Sequence, residues 1–150
     1  MTRSGSAPLV GSVDPSEAWD RLGKNPRSAL VDVRTRAELS FVGSPDLSGM
    51  NKAPVCVEWA FFPDMSINPR FVAALEAELG GSRPAELYFI CRSGARSLRA
   101  AEAVSAHLFE VGRPVTCFNV EEGFEGDLDP SGHRGGHNGW KARGLAWRQS

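Results

Sequence analysis

Apolar and polar positions alternate along this chain in two rhythms. Short, dense apolar runs read as buried strands: Ala29-Leu30-Val31-Asp32-Val33, Pro54 to Trp59, Glu86 to Ile90 and Val115 to Asn119. Their apolar density predicts cover on both faces, as in a parallel sheet. Between them lie helical patterns. Asp14 can cap a first helix, with Pro15 at its first position and Glu17 as a capping-box partner. Ala18, Trp19 and Leu22 form its apolar side, and Gly23 is expected to end it. A short helix is expected over Thr35–Phe41. Another starts at Asn68-Pro69, with Phe71, Val72, Leu75 and Leu79 on one side and Gly80-Gly81 at its end. The strongest helical pattern begins at Ser97. There Leu98, Ala101, Val104, Leu108 and Val111 share a face, and Gly112 and Pro114 stop it.

Strands that alternate with helices imply right-handed crossovers. The expected class is α/β, an open and mainly parallel sheet flanked by helices on both faces. Residues 1–13 read as a flexible N-terminal segment and 14–150 as one domain. A loop-rich insertion spans 41–54, and a Gly-, His- and Trp-rich tail runs from about 121, with a short helical turn expected near its end.

Composition narrows the function classes. A chain of 150 residues, 41% hydrophobic and 23% charged, suits one ordinary globular domain. Its net charge of −1 gives no general pull towards nucleic acid or an anionic membrane surface, so neither is an expected partner. No apolar run approaches the roughly 20 residues that span a bilayer. The first residues lack the apolar core of a secretory signal. Cys56, Cys91 and Cys117 form no CxxC and cannot all pair within the chain. Reduced thiols and a cytoplasmic location are the expectation.

Cys91 stands at the end of a predicted strand, and the segment Cys91-Arg92-Ser93-Gly94-Ala95-Arg96-Ser97 leads straight into the best helix. Ligands of open α/β sheets gather at this end of the strands. Successive loop N–H groups can converge on an anion. The free N–H groups and positive dipole end of the helix act in the same direction. Arg92 and Arg96 add formal charge. All three effects favour a thiolate over a thiol, and all three attract an anionic substrate. Gly94 suits a tight curve with room for that substrate. Cys56 and Cys117 lie in apolar runs and read as inert core positions.

These residues resemble the active-site loop of the single-domain rhodaneses, the thiosulfate-type sulfurtransferases. Val31-Asp32-Val33-Arg34 is similar to that family's Asp-Val-Arg strand ending. The likeness runs loosely from Pro15 to Gly123. It departs at Phe41-Val42-Gly43-Ser44-Pro45, where the family carries Gly-His-Ile-Pro-Gly-Ala, and at Glu122-Gly123, where it often carries Gly-Gly. The resemblance implies a covalent cycle. Cys91 attacks the outer sulfur of thiosulfate or a related donor, becomes a persulfide and releases sulfite; cyanide or a thiol then removes the sulfur. It further implies that N–H groups from Arg92, Ser93, Gly94, Ala95, Arg96 and Ser97 stabilise the persulfide. Arg92 and Arg96 would hold the sulfonate end of the donor. No cofactor is implied.

Cysteine phosphatases and arsenate reductases are the enzymatic rivals, but they place one residue more between nucleophile and arginine than the four between Cys91 and Arg96. A sulfur-relay or interaction module serving a protein partner would use the same persulfide. Asp32 and Arg34 stand as second-tier candidates beside the site, with a structural ion pair as their plainer role. His133 and His137 are four apart, but Gly135 and Gly136 between them argue against a shared helical face, and no metal is expected.

Overall fold

The computed structural model describes residues 9–149. The first half of the chain runs through β1 (Gly11–Val13), α1 (Pro15–Lys24), β2 (Ser28–Asp32) and α2 (Arg36–Val42). Then come β3 (Ser44–Pro45), a 3-10 turn (Ser48–Met50), β4 (Val55–Cys56), β5 (Ala60–Phe61) and β6 (Ser66–Ile67). The second half holds α3 (Phe71–Leu79), β7 (Glu86–Ile90), α4 (Ala95–Glu110), β8 (Thr116–Val120) and β9 (Trp147–Arg148).

Five strands make one parallel sheet in the order β1-β8-β7-β2-β4. Side chains of a strand alternate between faces. Leu87 and Phe89 of β7 meet Phe71 and Leu75 of α3 and Ala101, Val104 and Leu108 of α4. Tyr88 and Ile90 point the other way, towards Ala18 and Leu22 of α1 and towards Phe124 and Trp140 of the tail. Both faces are therefore covered, as the dense apolar runs predict.

Several expectations are corrected. Gly11–Val13 is not a loose lead-in: it pairs in register with Phe118–Val120, and Val13 is buried. The free edge of β8 offers an unpaired ladder, and β1 fills it. Asp14 does cap α1, accepting from Glu17 N–H at 2.8 Å, but the Glu17 carboxylate turns to Arg21 instead of closing a capping box. Helix α1 also runs past Gly23 to Lys24. A complete capping box sits at α2, between Thr35 and Glu38. The strand expected over Pro54–Trp59 shortens to Val55–Cys56 at the sheet edge. There Cys56 is exposed rather than buried in the core. Leu98 on α4 and Val111 just past its end are 38% and 49% exposed, because the sheet takes the neighbouring stripe of Ser97, Ala100, Ala101, Val104 and Leu108.

The insertion and the tail hold one another. Ser44–Pro45 pairs antiparallel with Trp147–Arg148, just after the expected helical turn, which Arg143 N–H closes on the Gly139 carbonyl at 3.0 Å, and Asp46 N–H donates to Ala146 at 2.9 Å. Lys141 Nζ donates to the Val42 carbonyl at 2.9 Å. Trp140 is fully buried and donates its indole N–H to Ala146.

Candidate active site

Strand β7 ends at Ile90, and Cys91 follows at the carboxyl end of the sheet. The chain then bends through Gly94, whose φ of +113° is comfortable only for glycine, and enters α4 at Ala95. A Cβ on Gly94 would find open room, its nearest neighbours 3.8 Å away, so the demand is on backbone conformation and not on space. No side chain of the described residues caps α4. Its first N–H groups therefore keep their hydrogen-bonding capacity on the concave side of the loop. Gly94 N–H donates to Cys91 Sγ at 3.1 Å.

Cys91 is buried, at 2% exposure. Ser97 Oγ lies 3.2 Å from it. The same hydroxyl is 2.6 Å from Asn119 Oδ1 and 3.2 Å from the Gly94 carbonyl, and Asn119 Nδ2 donates to that carbonyl at 3.2 Å. Asn119 was not singled out in the sequence. It stands one residue before the end of an apolar strand, and that polar interruption is its one signal.

Arg96 does not reach freely into the loop. Its NH1 and NH2 donate to the two Glu38 oxygens of α2 at 2.7 and 2.8 Å. Burial opposes a charge on Glu38, yet Arg96, with the Thr35 N–H and hydroxyl, outweighs it and holds the carboxyl below the usual carboxylate range. In return Glu38 strengthens the hold of Arg96 on its proton, with smaller help from the Cys91 sulfur and Asp32. The Thr-x-x-Glu capping pattern at Thr35 could have flagged Glu38, though not its partner. Arg92 is exposed and makes no ion pair among the described residues.

Asp32 and Arg34 form a fully buried ion pair beneath the site. Arg34 Nε and NH2 reach the carboxylate at 2.9 and 2.7 Å, NH2 also meets the Gly43 carbonyl, and the guanidinium stacks 4.2 Å over Phe124. The tail seals the loop from behind. Phe124 N–H donates to the Cys91 carbonyl at 2.8 Å and Glu125 N–H to that of Arg92 at 3.0 Å. The Glu122 carboxylate is turned away to Arg143, which with the Gly139 N–H holds it below its ordinary range. Cys117 is buried apart from the site, and burial pushes its thiol up to about 12.

No protein-family profile matches the chain. An uncharacterised protein of Rickettsia conorii is 32% identical over 139 residues, 93% of this chain and 98% of that one. The Arabidopsis thaliana chloroplastic rhodanese-like domain-containing protein 4 is 23% identical over 137 residues, 91% of this chain but 25% of its own length. Among solved structures, Rv0390 of M. tuberculosis superposes with a TM-score of 0.82 at 45% identity, covering 95% of this chain and 100% of that one. A polysulfide-sulfur transferase homodimer from Wolinella succinogenes gives 0.59 at 19% identity, over 94% and 80% of the two chains. A rhodanese-like domain protein from Staphylococcus aureus gives 0.51 at 20% identity, over 91% and 97%. The last two share the fold.

Proposed function

We propose that the chain, which shares its fold with rhodanese-like proteins, is a sulfurtransferase whose Cys91 carries a sulfane sulfur as a persulfide. One observation carries the reading: the Cys91 sulfur receives the Gly94 N–H at 3.1 Å, at the head of an α4 that has no side-chain cap. Backbone donors at a helix N-terminus, enclosed by a short loop, suit a negative charge on sulfur.

The Cys91 thiolate attacks the outer sulfur of thiosulfate or a related donor. A new S–S bond forms at the cysteine, the donor's S–S bond breaks, and sulfite departs with the bonding pair. Cyanide or a thiol then attacks the terminal sulfur, and the electron pair returns to Cys91. N–H groups of Arg92, Ser93, Gly94, Ala95, Arg96 and Ser97 stabilise the anionic persulfide. Arg92, exposed and unpaired, meets the anionic end of the donor. Arg96, tied to Glu38, contributes field and loop shape. Four residues between Cys91 and Arg96 make a loop suited to one sulfur rather than a phosphate. The three free thiols fit a reducing, cytoplasmic setting, and no helix among the described residues is long and apolar enough to cross a membrane.

Intact mass spectrometry before and after thiosulfate tests the reading. One sulfur should be gained, then lost on adding cyanide, and Cys91→Ser should abolish the gain. Sulfur transfer that survives Cys91→Ser would sink it.

A protein acceptor is a second reading, favoured by one feature. The β5–β6 hairpin leaves the sheet just past the carboxyl end of β4, the end that holds Cys91, and exposes Phe61, Phe62, Met65 and Ile67. An apolar projection beside a sulfur carrier suits protein contact. Transfer to small thiols that is as slow as spontaneous decay of the persulfide would favour this relay.

A further inference from the structure

The groups around Cys91 close into a ring whose hydrogen-bond direction is forced. The Gly94 carbonyl can only accept, and it faces Asn119 Nδ2 at 3.2 Å. Reversing the amide would set two acceptors against each other at that distance. Asn119 Oδ1 must therefore face Ser97 Oγ, 2.6 Å away. A carboxamide oxygen also only accepts, so Ser97 spends its single hydroxyl proton there. The Gly94 carbonyl, 3.2 Å from the hydroxyl, is the poorer acceptor by distance, and a thiol sulfur at 3.2 Å is the weaker acceptor by chemistry. Only lone pairs of Ser97 Oγ then face Cys91 Sγ. Lone pairs welcome an S–H and repel a bare thiolate. Gly94 N–H, donating to the sulfur, returns the ring to the residue where it began. Cys91, Ser97 and Asn119 are all buried, so bulk water does not relax these assignments.

We infer that Asn119 is a positioning residue that holds the Ser97 proton off the Cys91 sulfur, so that Ser97 donates to the sulfur only when the sulfur becomes an anion. The inference rests on the reading of Cys91 as the sulfur carrier. When the sulfur carries its proton, Cys91 S–H donates to Ser97 Oγ. On ionisation the proton passes to water and the electron pair stays on sulfur. The Ser97 O–H rotates about its Cβ–Oγ bond and donates to the thiolate or persulfide, leaving Asn119 Oδ1 without its donor. Loss of the sulfur leaves the thiolate; once it takes a proton back from water, the hydroxyl proton returns to Asn119 and the ring resets. The device works against the loop N–H groups and the head of α4, which favour the anion. Charged groups on the surrounding elements stay outside the ring. They are Arg92 of the loop, Arg96 with Glu38 of α2, the buried Asp32–Arg34 pair, and Glu122, taken by Arg143.

The test is the pH profile of Cys91 alkylation by iodoacetamide, followed at that one peptide by mass spectrometry. Asn119→Leu frees the Ser97 proton for the sulfur. The midpoint should fall by about one pH unit, roughly tenfold in reactivity below it, as expected for one hydrogen bond transferred to the anion. In a Ser97→Ala background the same substitution should move nothing, because no proton remains to be released. Asn119→Asp keeps an acceptor facing Ser97 and should leave the midpoint where it is or raise it. A midpoint that stays or rises in Asn119→Leu would overturn the inference. So would a full shift that persists without Ser97, or a fall in Asn119→Asp. Alkylation needs no sulfur donor. Failure of thiosulfate to load Cys91 would overturn the sulfurtransferase reading and leave this measurement standing.

Discussion

Glu38 grips Arg96 with both carboxylate oxygens, at 2.7 and 2.8 Å, across 58 residues of chain. The same carboxylate closes the capping box of α2 with Thr35. One side chain therefore couples the start of a short helix to the reactive loop, and a fork-to-fork contact of this kind fixes direction as well as distance.

That coupling has a pH signature. The folded Glu38 carboxyl is held below its unfolded value of 4.5. Its stabilisation is complete above that value and is lost as pH falls through the lower, folded one. Urea midpoints should drop in that acid window. Glu38→Gln should be less stable at neutral pH and flatter in the same window. A variant whose acid profile matches the parent would show that the pair contributes nothing.

The two arginines should separate kinetically. Arg92→Ala is expected to leave the melting temperature unchanged and to weaken use of thiosulfate. One charge-assisted contact is worth about 1.5–3 kcal/mol, roughly tenfold to more than a hundredfold in kcat/KM. Arg96→Ala should lower both activity and stability, since it leaves the Glu38 carboxylate half-buried without its partner. Arg96→Lys should recover only part, because a point charge lacks the guanidinium fork. Steady-state kinetics beside a thermal melt distinguish the cases.

Gly94 and Gly123 are needed for different reasons. Gly94→Ala meets open space but a φ of +113°, a strain of about 1–3 kcal/mol, and should chiefly displace the N–H that faces the sulfur. Persulfide formation should slow in a protein that still folds. Gly123→Ala would set a Cβ 2.5 Å from the backbone carbonyl of Arg92 and push the tail off the loop. Denaturant unfolding should rank Gly123→Ala well below Gly94→Ala in stability.

Asp32→Asn breaks a pair that is wholly out of water. The Arg34 guanidinium would stay buried with Phe124 and the Gly43 carbonyl as its remaining company. Removing one partner of a buried pair costs about 3–5 kcal/mol, on the order of 10 °C in Tm for a chain of this size. A melt within a degree or two of the parent would mean that the pair is dispensable.

What the amino-acid sequence determined by itself is local. The apolar runs at Ala29–Val33 and Glu86–Ile90 could only be buried strands, and β2 and β7 occupy Ser28–Asp32 and Glu86–Ile90. Asp14 and Pro15 marked the start of α1. The passage from Cys91 through Gly94 into a helix was legible because hydrogen-bond capping, glycine freedom and apolar period all act within a turn or two of chain. The tertiary structure decided which distant groups meet. Glu38 finds Arg96 because α2 and α4 both begin at the carboxyl end of the sheet. Asn119 finds Ser97 because β8 lies beside β7. Residues 11–13 became a strand only because β8 left an edge unpaired, and Ser44–Pro45 of the insertion became one only by pairing with the tail. Cys56, Leu98 and Val111 fit apolar patterns, yet they are exposed, because sheet order and helix rotation decide which side of an apolar segment is covered. Those choices depend on packing between segments far apart in sequence, and no local pattern carries them.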